Sequence, residues 1–388
     1  MSDDTERKTA AQRYALELAR LRKEDAGNRA PADIYQELGV VLWKQGDSAG
    51  ALTAFEQSMA GNAGSAEAHY NLGSAQLEAG RFVDAVRSAR EALRLRPAFS
   101  EAKQLCAAGL AAQGEIEAGA ELVGQLGVAE MPPAQRYLLL AIRLMNSKLF
   151  DPARPCLEQV LRADPREVMA RHLLSAVSGE NPDRPVEGYV RQLFDTSAAT
   201  FDQELVSKLG YGIPREMVEA LGAAAGASPP WDVLDLGCGT GLVGVEIAPY
   251  VRKLTGADLA PNMIEHARAR GIYTELRCED LMVALSQDAR YDVVTAADVF
   301  IYVGRLDEVI PAIRRVLRPR GLFAFSAEAA ETPQGYRLGV MGRYAHDASY
   351  LRRLAAVSGL EVEVLRETRI RFEHRQPVSG WLTVWRAA

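Results

Sequence analysis

The stretch Val233-Leu234-Asp235-Leu236-Gly237-Cys238-Gly239-Thr240-Gly241 limits what this chain can fold into more than any other, because an apolar run leads straight into three glycines at alternate positions. A helix-like pattern of Leu242, Val245, Glu246 and Ala248 follows. Strand, tight turn and helix in that order open an α/β unit that binds a nucleotide-like ligand. The glycines let the backbone turn sharply and come close to that ligand. Their spacing is G-x-G-x-G and not the dinucleotide G-x-G-x-x-G, and Asp235 stands two residues before the first of them. A carboxylate there repels a pyrophosphate and suits a ligand that carries an ammonium and a sulfonium.

S-adenosylmethionine is such a ligand. Asp258 ends a second apolar segment, Val251 to Ala257, where it can accept hydrogen bonds from a ribose diol. In open α/β sheets the ligand sits beyond the carboxyl ends of the strands. The groups expected there are Asp235, Gly237, Cys238, Gly239 and Gly241 after the first strand, and Asp258, Leu259 and Met263 after the second. Glu279, Asp280 and Leu281 follow the third strand, and Ala297, Asp298 and Val299 the fourth. On these residues the chain resembles the class I S-adenosylmethionine-dependent methyltransferases, whose glycine-rich signature reads D-L-G-C-G-T-G here. The resemblance implies that Asp280 receives the adenine amino group and that Leu281 packs near the ring. It also implies that Ala297 to Tyr302 line the methionine side and face the substrate.

The N-terminal half repeats. Gly46, Gly80 and Gly114 are spaced 34 residues apart, Leu38-Gly39 recurs as Leu72-Gly73, and Ala51, Ala85 and Ala153 fall in one register. This is the tetratricopeptide period. Four units start near Ala32, Ala66, Ser100 and Ala134, with small residues at Gly39, Gly73, Ala107 and Ala141 where paired helices approach. Pro97 and Pro165 end second helices. The third unit is degenerate, with Gly119 at the small position and two prolines after it. Residues 168–178 read as a closing helix that caps the array.

The expected organisation is a charged, solvated leader helix over 1–31, with a short stripe of Tyr14, Leu18 and Leu21, then repeats over 32–178. A breaker-rich linker at 179–186 and a methyltransferase-type domain over 187–388 follow. Tyr189 to Leu221 carries helical apolar spacing, including Leu205 and Leu209. Strands are expected at 231–236, 251–258, 272–277, 291–296 and 322–326, and helices near 240–249, 261–270 and 305–317. Such alternation implies a mostly parallel sheet. Segments 361–368 and 382–386 form a terminal hairpin, matching the antiparallel seventh strand of that fold. The fold class is therefore α plus α/β, an all-α repeat solenoid followed by a Rossmann-like seven-stranded domain. The whole chain resembles a bacterial group with this domain order. Tyr189-Val190-Arg191-Gln192-Leu193-Phe194-Asp195, Phe201-Asp202, Leu209-Gly210-Tyr211 and Gly342-Arg343-Tyr344-Ala345-His346 carry that resemblance.

Two domains suit 388 residues. A net charge of −6 argues against a general nucleic-acid binder. The acidic start and the lack of any apolar run near membrane-span length predict neither a secretory signal nor a membrane span. Cys106, Cys156, Cys238 and Cys278 form no C-x-x-C pair, so buried thiols in a cytoplasmic protein are expected, with no metal site.

Methyl transfer is an in-line displacement at an activated sulfonium and demands positioning above all. A base is needed only if the acceptor must lose a proton. His346 and Tyr344 lie in the insertion after the fifth strand and are the candidate catalytic residues, with Arg343 and Tyr302 as candidate substrate contacts. Gly335, Gly339 and Gly342 are possible hinges of that insertion. Arg343, Arg371 and Arg375 could hold an anionic substrate group by paired hydrogen bonds, and the last two read rather as a solvated face. One reading is a small-molecule O- or N-methyltransferase whose repeats serve protein interaction or assembly. The alternative is a protein methyltransferase whose repeats capture a polypeptide. Oligomeric state is not legible. The fourth strand lacks an Asn-Pro-Pro-Tyr signature, having Ala297-Asp298-Val299-Phe300, which argues against amide- or base-N-methylation.

Overall fold

The computed structural model describes residues 2–25, 29–127, 131–198, 201–203, 205, 210–224, 229–373 and 376–388. Leu209 and Arg375 lie outside them. The chain divides into two compact units, Met1–Ala170 and Arg171–Ala388.

In the first unit helix α1 (Ser2–Asp25) precedes four helical hairpins. These pair α2 (Pro31–Lys44) with α3 (Ser48–Asn62) and α4 (Ala66–Glu78) with α5 (Phe82–Leu95). Next come α6 (Ser100–Ala112) with α7 (Ile116–Gly124) and α8 (Pro133–Asn146) with α9 (Phe150–Ala163). A Cβ on Gly39 would stand 2.5 Å from the Phe55 ring, and one on Gly73 would stand 3.1 Å from Ser88, so glycine is what lets these helices meet. A Cβ on Gly119 would fall 2.7 Å from the Ala107 carbonyl oxygen, the same approach in the third hairpin. The turns of the first three hairpins hold Gly46, Gly80 and Gly114 at φ 82°, 74° and 92°. Lys148 occupies the matching place in the fourth and keeps φ 60°. The leader differs from the solvated helix expected, because Leu21 is buried with Ile34, Leu38 and Leu42, and Tyr14 and Leu18 pack on that cluster.

The expected cap and linker also differ. Helix α10 (Val168–Val177) crosses the boundary between the units. Its Ala176 lies in the main core of the second unit, and His172 stacks on Tyr189 with ring centroids 3.9 Å apart. Residues 179–186 are pinned and not a free linker. Asn181 Nδ2 donates to the Tyr336 carbonyl at 3.1 Å, its Oδ1 accepts from the Leu338 N–H at 2.7 Å, and Arg305 N–H donates to the Asp183 carbonyl at 2.8 Å. Breaker residues show where a helix ends but not whether the polar groups beyond it find partners.

The second unit adds α11 (Tyr189–Ser197) and α12 (Ile213–Ala224) before an alternating run. That run is β1 (Trp231–Leu236), α13 (Leu242–Ile247), β2 (Val251–Asp258), α14 (Pro261–Ala269), β3 (Glu275–Cys278), α15 (Leu281–Ala284), β4 (Tyr291–Ala296), α16 (Val309–Val316) and β5 (Leu317–Ala329). These strands are parallel in the order β3-β2-β1-β4-β5. After β6 (Tyr336–Leu338), β7 (Tyr344–His346) and α17 (Ala348–Val357), the chain closes with β8 (Leu360–Glu373) and β9 (Gln376–Ala387). As expected, β8 and β9 pair as a hairpin, and β9 runs antiparallel to β5 from Leu322↔Arg386 to Glu328↔Gly380. The sheet has nine strands among the described residues, not seven, because the insertion contributes β6 and β7 at the end of β5. Strand order turns back between β1 and β4, which makes that edge the switch point where such sheets bind ligands.

Candidate functional site

A cavity of about 900 Å³ opens beyond the carboxyl ends of β1 to β4. It is at the upper end of small-molecule sites and can hold more than one small ligand. Gly237, Gly239 and Gly241 have φ 61°, 54° and 93°, a left-handed run that only glycine adopts readily. A Cβ on Gly237 would strike Val299 at 2.5 Å, whereas one on Gly239 would meet nothing within 4 Å. Gly239 thus presents bare backbone to open space in the cavity wall. Gly241 turns the chain into α13 and does not line the cavity.

Asp258 ties the first two loops together. Its Oδ2 accepts from the Gly239 N–H and its Oδ1 from the Ala260 N–H, both at 2.9 Å. Burial pushes the carboxyl up, and these backbone bonds oppose the shift. One lone pair on each oxygen is spent, so the carboxylate keeps acceptor capacity toward the cavity it lines. Glu279 Oε1, also on the lining residues, is buried with no hydrogen-bond partner. Asp280 caps α15 by accepting from the Met282 N–H at 2.8 Å. Cys238, Leu259, Met263, Leu281 and Ala297 complete this end of the lining. Burial raises the Cys238 thiol well above its ordinary range, so it stays neutral. An open glycine backbone, a two-oxygen acceptor beside it and a Glu279 oxygen that makes no hydrogen bond and has only Arg277 Nη1 at 3.8 Å among the described residues fit the diol and amino donors of S-adenosylmethionine.

Asp235 does not line the cavity. It is buried in the sheet, accepting from Tyr273 Oη at 2.7 Å and from Thr295 Oγ1 at 2.8 Å, and desolvation pushes it up to about 6. The acid before the glycines therefore holds strands together.

The insertion also departs from expectation. His346 and Tyr344 are fully buried in β7 and line no part of the cavity. His346 Nε2 lies 2.9 Å from the Gly304 carbonyl, its Nδ1 has no partner, and burial lowers it to about 4. An imidazole sealed behind the cavity wall and that hard to protonate is not a base for the acceptor. Arg343 and Tyr302 do line the cavity.

Sequence reasoning missed several walls. Phe194 packs edge-on against Tyr302 with centroids 5.1 Å apart, and Phe201, Leu205 and Tyr211 join that apolar side. Asp202, next to Phe201, binds Thr240 Oγ1 and Arg270, clamping the glycine loop. Phe194, Phe201, Asp202 and Tyr211 lie in the segments that carry the resemblance, and Leu205 was legible only as part of the helical apolar spacing. Arg371 is 4% exposed and not solvated, because Ile370 and Arg371 are both buried where a register shift interrupts the β8–β9 ladder.

A parallel sheet with a glycine-rich first loop and an acid closing the second strand defines a nucleotide-type ligand-binding α/β unit. The comparisons with known proteins narrow that class. Residues 233–321 match the family described as a methyltransferase domain, and residues 37–98 match a tetratricopeptide repeat. Each match covers less than a quarter of the chain: one region is similar to the methyltransferase-domain family and another to tetratricopeptide repeats. The methyltransferase-domain family uses S-adenosylmethionine.

Among similar proteins, a ubiquinone biosynthesis O-methyltransferase of Xanthomonas oryzae pv. oryzae is 33% identical over 129 residues, 31% of this chain and 51% of that protein. Human methyltransferase-like protein 27 is 31% identical over 153 residues, 37% of this chain and 60% of that protein. The chain spans about half the length of the curated relatives it matches. The crystal structure of a magnesium protoporphyrin IX methyltransferase from Synechocystis covers 51% of this chain and 95% of its own, at 18% identity and a TM-score of 0.40. No helix of the described residues is long and apolar enough to cross a membrane, and no cluster of three or more His, Cys, Asp or Glu could hold a metal ion among them.

Proposed function

We propose that this chain transfers the methyl group of S-adenosylmethionine to the oxygen or nitrogen of a small molecule. The observation that carries the reading is the pairing of Gly239, bare toward the cavity, with Asp258 bonded to its N–H. Asp258 would accept from the ribose diol, and Glu279 and Asp280 from the adenine end. Gly237, Cys238 and Gly239 would form the floor, with Leu259, Met263, Leu281 and Ala297 packing around it. When bound, the cofactor supplies an electrophilic methyl group. Phe194, Phe201 and Tyr302 exclude water and hold an acceptor in line, a positioning role that accounts for much of the rate in such a displacement. Cavity size supports a small acceptor beside the cofactor. The similar protein named as a ubiquinone biosynthesis O-methyltransferase supports it too. The repeats would recruit a protein partner or assemble the enzyme.

The test is methyl transfer from S-adenosylmethionine labelled on its methyl group into fractionated cell extract, with Asp258→Ala as control. Label in the small-molecule fraction that is lost in the variant is expected. Label only in protein would move the reading to a polypeptide acceptor held by the repeats. No transfer into either fraction would remove it.

A further inference from the structure

Helix α10 carries a histidine whose two partners belong to stretches of chain that wall the cavity. His172 lies in the second unit and is fully buried. Its Nε2 stands 2.9 Å from the Gly342 carbonyl, which can only accept, so Nε2 carries the proton and donates. Nδ1 is then a bare lone pair, buried with no hydrogen-bond partner among the described residues. The ring packs against that of Tyr189, with centroids 3.9 Å apart and planes at 32°. Tyr189 opens α11, and Gly188 before it and Val190, Arg191 and Phe194 after it line the cavity. Gly342 lies in the β6–β7 turn just before Arg343, which lines the cavity as well.

His172, Tyr189 and Gly342 meet at one point. A Cβ on Gly342 would fall 3.1 Å from Leu173 Cδ2 and from Tyr189 Oη and 3.3 Å from His172 Cδ2, and the residue holds φ 78°. Glycine is what lets the turn come this close. Two backbone bonds close the turn, from the Gly339 N–H to the Arg343 carbonyl at 2.7 Å and from the Gly342 N–H to the Gly339 carbonyl at 2.8 Å. A turn closed in this way moves as a unit, so whatever holds Gly342 also holds Arg343. A phenylalanine at 172 would pack on Tyr189 without stranding a nitrogen. The imidazole therefore carries a cost at Nδ1, and what it adds is the donor to Gly342. Burial makes the ring harder to protonate and the Gly342 bond opposes that shift, so the ring is neutral at pH 7.

We propose that His172 is a positioning residue for the methyl acceptor: by tying Gly342 to Tyr189 it sets the spacing between the start of α11 and Arg343. The proposal rests on the methyltransferase reading above, in which Phe194 of α11 holds the acceptor in line. His172 itself does not line the cavity, so it acts only through these two stretches. No bond is made or broken at the ring and no proton passes through it. The donor's end is built on the loops after β1, β2 and β3, at Gly239, Asp258 and Glu279, and neither partner of His172 lies in those loops. Its loss therefore falls on the acceptor and leaves the cofactor in place. A shift of the wall by about 1 Å is enough to cost transfer up to about 100-fold.

The test uses the full chain, S-adenosylmethionine labelled on its methyl group and a dilution series of the small-molecule fraction of cell extract. The series separates half-saturation from maximal rate without the acceptor being named. His172→Phe keeps a ring on Tyr189 and strands the Gly342 carbonyl, whereas His172→Gln offers the carbonyl a donor and gives up the ring. His172→Phe should need at least about tenfold more extract for half-maximal rate, with affinity for S-adenosylmethionine by calorimetry within about twofold of wild type. His172→Gln should recover most of the transfer even where its melting temperature is the lower of the two. If His172→Phe does not fold, His172→Leu, also without a donor, makes the same comparison. Transfer that follows the melting temperature and not the donor, or a loss of cofactor affinity as large as the loss of transfer, overturns the role of His172. Wild type that transfers no label to small molecules is a different result, which removes the methyltransferase reading and this role with it.

Discussion

Glycine does opposite work in the two units. In the repeats, Gly39 and Gly73 are small because the chain's own side chains fill the space, Phe55 against one and Ser88 and Leu105 against the other. In the C-terminal loop, Gly239 is small and nothing of the chain fills the space beside it. Conserving volume explains the first kind of site, where close packing sets the stability. The second kind costs stability, since a bare left-handed backbone earns no contacts, and it makes sense only if another molecule completes it. Motif spacing alone cannot tell the two apart, because both read as regularly placed glycines.

Substitutions can break this contrast. The largest effect should follow Gly239→Val, which puts a branched side chain into the cavity wall at φ 54°. Affinity for S-adenosylmethionine should fall at least about 100-fold, or roughly 3 kcal/mol, by titration calorimetry, with the repeats melting unchanged. Retained binding would mean that the open space beside Gly239 is not where the cofactor lies.

A pH experiment separates a buried histidine from a catalytic one. His346 is lowered to about 4 by burial, below the ordinary value of about 6.5. Its stabilisation is therefore complete above pH 6.5 and drains as pH falls toward 4, because only the unfolded chain takes up the proton. The loss amounts to about 3 kcal/mol. Asp235, raised to about 6, acts in the opposite direction over part of the same window, so wild type alone cannot display the effect. The difference between wild type and His346→Gln, which keeps a donor toward the Gly304 carbonyl, should shrink by that amount between pH 6.5 and 4 in urea titrations. A difference that is flat with pH would place His346 in solvent.

Asp258→Ala should weaken cofactor binding by roughly 1.5–3 kcal/mol, because the diol loses a charged acceptor. Gly39→Ala should leave binding alone and destabilise the repeats by about 1–3 kcal/mol through overpacking against Phe55, measured as a shifted melting midpoint. The smallest effect is a gain. Lys148 holds the left-handed turn that Gly46, Gly80 and Gly114 hold in the other hairpins. Lys148→Gly should stabilise the first unit by up to about 1 kcal/mol, provided relief of the turn outweighs the freedom glycine adds to the unfolded chain. Unchanged or lower stability would show that Lys148 makes up the cost elsewhere.

The sequence was most legible where local spacing decides structure. The 34-residue register placed the hairpins, and the run from Val233 to Gly241 placed β1 and its loop. Misreadings arose where burial is set from a distance. Asp235 reads like a ligand group, yet Tyr273 and Thr295 from neighbouring segments use both its oxygens. The insertion reads as a hinged loop because of its glycines, but Tyr344-Ala345-His346 form a buried strand. Alternation along β8 predicts that every second residue is solvated, and the ladder irregularity between Arg369 and Arg371 turns one arginine inward. No local pattern announces such a shift.

The central claim is that the space beside Gly239 and Asp258 is shaped for S-adenosylmethionine. Titration calorimetry of the full chain with S-adenosylmethionine and, separately, with NAD tests it most directly. The account predicts saturable binding of S-adenosylmethionine with a dissociation constant in the micromolar range, about −8 kcal/mol, and no measurable heat with the dinucleotide. Tighter binding of NAD, or no binding of S-adenosylmethionine, would contradict it.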